Sequence, residues 1–196
     1  MRHFLPVIVL MLSLTAVNAQ KIKVIEGDLA KLKGVKSFKT EFTYTPMIVG
    51  KDKDEKDYIQ EKKQKLDEKE PGRGDTWEKA WVADRKDRFE PQFRELFSKH
   101  SGMSAVDDSS PYTMIFKTTR TEPGWNVGVM RVPAYIDAEV WFVETANPDN
   151  VLAKISIKNS PGRDAFGMDY ETGLRLQESY AKAGKSLGGF LKGKLK

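Results

Sequence analysis

A single two-layer α+β domain is the fold this chain predicts, and three patterns predict it. Apolar and polar residues alternate with period two in several runs, early and late. A densely charged stretch of helical spacing separates the first long run from the later ones. A glycine-bearing amphipathic stretch closes the chain. Period two with one polar face marks half-buried strands, and a 3.6-residue period marks helices. The expected architecture is a four- to five-stranded mixed or antiparallel sheet. The C-terminal helix packs on one face, and a two-helix insertion spans 51–102.

The chain opens with Arg2 and His3, continues with an uncharged apolar run over 4–16, and reaches Val17-Asn18-Ala19. That is the layout of a secretory signal peptide with a small-residue cleavage site, and the run is short for a bilayer span. Cleavage leaves Gln20 as the mature N-terminus and 20–196 as one domain, long enough to bury a core. A strand is expected over 22–25, then one helical turn or a loop over 28–34 closed by Gly34. In the next run Phe38, Thr40, Phe42, Tyr44 and Ile48 fall on one face, with Pro46 marking an edge or bulge.

Residues 51–70 carry seven basic and eight acidic side chains and only Tyr58, Ile59 and Leu66 as large apolar ones. This predicts a solvated helix with a thin docking stripe. Pro71-Gly72-Arg73-Gly74 breaks it, and Asp75 is placed to cap a second helix with Glu78 completing a capping box. Trp77 and Trp81 share a face. Pro91 interrupts this helix or begins another, and Phe89, Phe93, Leu96 and Phe97 continue the spacing to Ser101-Gly102. Strands follow, carrying Tyr112, Met114, Phe116 and Thr118, then Ile136, Ala138, Val140 and Phe142. The turn Asn147-Pro148-Asp149-Asn150 leads to a return strand of Val151, Ala153, Ile155 and Ile157, with Lys154 and Lys158 opposite. A final helix runs from about residue 166. Tyr170, Leu174, Ala181, Leu187, Leu191 and Leu195 lie near one stripe, with Gly173, Gly184 and Gly188 along it. Glycines there point to close backbone approach to the sheet.

Candidate chemistries are few. One histidine, His100, remains after cleavage, at a helix end where a cation meets the dipole. With no cysteine, neither a structural zinc site nor a lipid-bearing mature residue is expected. Asp137 and Glu139 share a strand face, as a glycosidase pair does, but polar alternation on a wet face looks the same. Asp52, Asp54, Glu55 and Asp57 resemble the start of a calcium loop but lack its glycine and terminal glutamate. Arg73-Gly74-Asp75 reads as a turn into a helix. No phosphate-loop motif occurs. No cofactor and no metal are expected.

Loss of 1–19 removes only Arg2 among the charged residues, leaving 32 basic against 28 acidic side chains. That surplus points to no nucleic-acid partner. Five lysines and no acid lie in 182–196. A helix end favours lysine, and a basic amphipathic helix also lies on anionic membrane surfaces, which makes Lys192 and Lys194 candidate binding residues. Tyr135 and Trp141 share the face of Asp137 and Glu139. Either the helical insertion covers them or they form a partner surface.

Gly27-Asp28-Leu29-Ala30-Lys31-Leu32-Lys33-Gly34, Pro71-Gly72-Arg73-Gly74-Asp75-Thr76-Trp77 and Trp81-Val82-Ala83-Asp84-Arg85 resemble uncharacterised secreted proteins of Gram-negative, gut-type bacteria. The stretch from Glu139 to Leu191 is similar in style to small α/β modules of envelope lipoproteins and periplasmic assembly factors. Neither resemblance implies a catalytic motif. The expectation is a periplasmic or secreted, non-catalytic binding protein for an envelope protein or surface polymer. Its rival is a carboxylate-dependent hydrolase acting on glycan.

Overall fold

The computed structural model describes residues 20–126, 131–162 and 172–196. The expected signal peptide, the predicted start of the last helix and Tyr170 lie outside them. The fold is α+β around a mixed, unclosed sheet of seven strands, rather than four or five. β1 (Lys21–Gly27), β9 (Asn147–Pro161), β8 (Tyr135–Glu144) and β5 (Tyr112–Glu122) pair antiparallel in that spatial order. β2 (Lys39–Thr43) and β3 (Ile48–Val49) both run parallel to β5, and β4 (Lys53–Asp54) closes the edge against β3. β6 (Trp125–Asn126) and β7 (Arg131–Val132) form a separate hairpin.

The extra strands have a physical origin. The predicted run 38–48 is two strands, split around a cis Thr45-Pro46 bond. Its inward phase also changes: Phe38 is buried before the break, but Met47 and Val49 are buried after it and Ile48 is exposed. The partner strand explains this. β5 bulges between Thr118 and Arg120, so its buried positions pass from Met114, Phe116 and Thr118 to Thr121. β3 follows the new phase, with Val49 opposite Thr121.

The insertion is α1 (Glu55–Asp67) and a second, longer rod made of α2 (Arg73–Asp84) and α3 (Glu90–Ser101). Asp54 caps α1, its carboxylate accepting from the Lys56 N–H at 2.8 Å. Asp75 does not cap α2. The helix starts earlier, after Gly72 in the left-handed region, and the Asp67 carboxylate accepts from the N–H groups of Gly72 and Gly74. Asp75 and Glu78 instead hold Lys63 across the two helices. Pro91 does not end the rod. A π-type turn, Arg85–Phe89, joins α2 to α3, with the Glu90 N–H donating to the Arg85 carbonyl. Proline has no N–H for the carbonyl four residues back and its ring crowds that carbonyl, so a wider turn ahead of it keeps the helix continuous.

The turn between β8 and β9 is Thr145-Ala146, not 147–150, which extend β9 as exposed residues. Tertiary bonds pin it there. The Thr145 N–H donates to the Pro111 carbonyl at 2.8 Å and the Thr145 hydroxyl to the Ser110 carbonyl at 2.9 Å.

α4 (Thr172–Lys194) buries Leu176, Tyr180, Ala183, Gly184, Leu187, Gly188 and Leu191. Leu174 is exposed and Ala181 only half-buried, so the inward stripe is rotated from the predicted one. Gly184 and Gly188 meet α3 rather than the sheet, and Gly173 meets Asp84 of α2. A Cβ at Gly184 would run into the Phe93 carbonyl oxygen, and one at Gly188 would stand 2.7 Å from that of Phe97. The aromatic core joins these layers: Phe93 lies 4.5 Å from Phe116, Phe89 stacks on Tyr180 at 4.8 Å, and Tyr180 shares a 2.8 Å hydrogen bond with Thr118.

Candidate binding face

The pleat sends Ile136, Ala138, Val140 and Phe142 of β8 into the core, each fully buried. The alternate residues Tyr135, Asp137, Glu139 and Trp141 point to the other face of the sheet. Register builds a row across five strands there: Glu41, Ile115, Trp141, Lys154 and Glu26. Trp141 is half-buried. The Lys117 ammonium lies 3.1 Å from its ring centroid and that of Lys154 4.1 Å. Its indole N–H donates to Glu139 at 3.0 Å. Lys154 also pairs with Glu26 at 2.6 Å. Burial beside the indole pushes the Lys117 ammonium below the ordinary lysine value, Lys154 adds repulsion, and Glu139 opposes the shift.

Tyr135 sits further along β8, half-buried, with the Arg120 guanidinium 5.6 Å from its ring. Burial raises its phenol pKa, and Arg120 works against that. The sequence places Asp137 on a wet face, but it is only 7% exposed. Its carboxylate accepts from Lys158 at 3.2 Å and from the Asn159 N–H at 2.8 Å, where Asn159 has φ 53. Asn159 is held in the left-handed region, and Asp137 satisfies the N–H that this turn leaves over. Glu139 is engaged by Trp141. The two carboxylates therefore have different partners.

Lys192 and Lys194 are exposed at the end of α4, and Lys194 lies 5.9 Å from Phe190. They are not brought to Tyr135 and Trp141. His100 occupies the last turn of α3. Among the acids resembling a calcium loop, Asp54 is the α1 cap and Glu55 accepts from the Trp81 indole at 2.7 Å and from Arg85. Among the described residues no group of three or more metal-ligating side chains is poised to hold an ion. Also among them, no helix is long and apolar enough to cross a membrane.

Alternation along β9 puts Lys154 on the face of Trp141, but the pairing is not legible from it. A loop at 147–150 sets Ser156 opposite Trp141, whereas the turn at 145–146 and the bulges beside it set Lys154 there. Lys117 has no sequence signal beyond its place in the β5 alternation.

No family model matches the chain, and no curated protein matches it in sequence. Two solved structures are similar at low identity. A crystal structure of a Xanthomonas campestris protein of the DUF330 family matches with a TM-score of 0.45 and 12% identity, over 81% of this chain and 86% of that one. The PelC dodecamer from Paraburkholderia phytofirmans matches with a TM-score of 0.35 and 7% identity, over 84% of this chain and 96% of that one.

Proposed function

We propose that this chain is a non-catalytic binding protein of the cell envelope, exported with loss of residues 1–19. In this reading α3 and α4 form the layer over the core side of the sheet. The opposite face, centred on Trp141, meets a protein or surface polymer. The observation that carries the reading is the setting of Trp141 on a strand between two ammonium groups. A tryptophan on a sheet face outside the core is the kind of aromatic anchor on which binding hot spots centre. Asp137 is spent on Lys158 and on the Asn159 N–H, which argues against its serving as a glycosidase acid or nucleophile. The loss of Arg2 on export and the small remaining positive charge suit a partner recognised by shape and aromatic contact rather than by bulk charge.

The test is pelleting with detergent-extracted envelope material, from which lipid has been removed. Wild-type protein co-pellets. Trp141→Ala and the double variant Lys117→Gln, Lys154→Gln lose at least about tenfold in affinity, the loss of one central aromatic contact. Release of soluble sugar by wild-type protein, abolished in Asp137→Asn, supports the hydrolase reading instead.

A further inference from the structure

α3 and α4 run parallel, because Gly184 lies against Phe93 while Gly188 lies against Phe97 and Ser101. Their C-terminal ends therefore reach the same end of the molecule. The 3-10 turn Leu29–Leu32 and the loop that follows it come to that end too. Two clefts record the meeting. One is lined by Val24, Lys33, Lys194, Leu195 and Lys196. The other is lined by Lys36, Lys192, Leu195 and Lys196. All five lysines are exposed. None of them is among the described ion pairs. Asp28, the one acid of the first cleft, holds the Ala30 N–H at 2.8 Å.

A helix dipole explains lysines in a last turn, but its effect fades within that turn. Lys33 and Lys36 belong to a loop and to neither α3 nor α4. Apolar side chains are interleaved with the cations: Val24, 37% exposed, lines the first cleft and Leu195 lines both. Lysine stems and exposed aliphatic groups on one surface fit a lipid interface, where apolar atoms enter the headgroup region and ammoniums meet phosphates. A soluble polyanion would use the lysines and leave Val24 and Leu195 idle.

We propose that this end of the molecule docks peripherally on an anionic phospholipid surface, with Lys33 and Lys36 as essential to the contact as Lys192 and Lys194. The inference does not rest on the Trp141 face. It is tested by co-sedimentation with vesicles of phosphatidylcholine alone and of phosphatidylcholine mixed with phosphatidylglycerol, using protein recovered after export. Wild-type protein pellets with the mixed vesicles and not with phosphatidylcholine. Each lysine near an anionic surface contributes about fivefold, so Lys33→Gln with Lys36→Gln, and separately Lys192→Gln with Lys194→Gln, each weaken binding about 25-fold. Trp141→Ala leaves vesicle binding unchanged, which separates this surface from the one proposed above. Equal binding to both vesicle types overturns the proposal. So does full binding by the Lys33→Gln, Lys36→Gln variant.

Discussion

Gly188 and Gly189 are adjacent in α4 and call for opposite outcomes on substitution. A Cβ at Gly188 would meet the Phe97 carbonyl oxygen at 2.7 Å and the Ser101 nitrogen at 2.8 Å, while one at Gly189 meets nothing within 4 Å. Gly188→Ala should cost about 1–3 kcal/mol by overpacking the contact with α3. Gly189→Ala should stabilise by about 1 kcal/mol through helix propensity alone. Denaturant melts of the two variants check both signs. The same scale of argument applies to Asp137. Asp137→Ala strips the Asn159 N–H of its acceptor and Lys158 of its partner at a nearly buried site, and should cost about 1–3 kcal/mol. A loss below about 0.5 kcal/mol, as for an ordinary surface change, would place Asp137 back on a wet face. The sequence places Gly184 and Gly188 on an apolar stripe. It does not show which neighbour they approach, because α3 reaches them from 87 to 91 residues away in the chain.

Among elements, the joint between α1 and α2 combines an aromatic contact with exposed ion pairs. α1 buries no residue fully, and its apolar docking comes from Ile59 against the core and from Tyr58 against Trp77 and Trp81 at 6.0 and 5.5 Å. Lys63 meets Asp75 and Glu78 across the joint. Hydrogen bonds to those carboxylates hold the Lys63 ammonium above the ordinary lysine value, and Lys63 holds Asp75 below the ordinary carboxylate value. The contribution of Asp75 is present above its unfolded pKa and is lost as pH falls through its folded one. That of Lys63 is present below its unfolded pKa and is lost as pH rises through its folded one. Wild-type protein should therefore lose more of its denaturation midpoint between about pH 6 and about pH 3 than Lys63→Met does, by a modest margin because the pairs are exposed. Equal acid sensitivity in the two proteins would remove these pairs from the account. The charged helix itself is legible in the composition of 51–70. Its cross-helix partners are not, because Asp75 and Glu78 also fit a capping box and only the earlier start of α2 frees them. The split of the 38–48 run and the displaced hairpin turn have the same kind of cause. A bulge in β5 and the bonds of Thr145 to 110–111 are tertiary events that no local pattern encodes.

At the scale of the whole molecule, the sheet carries its aromatic core between β5, β8, α3 and α4, while the far side of the same strands carries Trp141 between Lys117 and Lys154. The α+β class and the buried half of β8 follow from period-two alternation. The partners of Trp141 depend on register, which one misplaced turn changes along the whole hairpin. A second surface, at the shared end of α3 and α4, depends on the two helices running parallel. The central claim is that the Trp141 face meets the partner. Its most direct test is a photo-crosslinking amino acid placed at 141 in cells that make the protein, with the same group at exposed Val82 as the control site. The account predicts a discrete heavier adduct from position 141 and none from position 82. Adducts from position 82 with none from 141, while the protein stays folded and bound to the envelope, would contradict it.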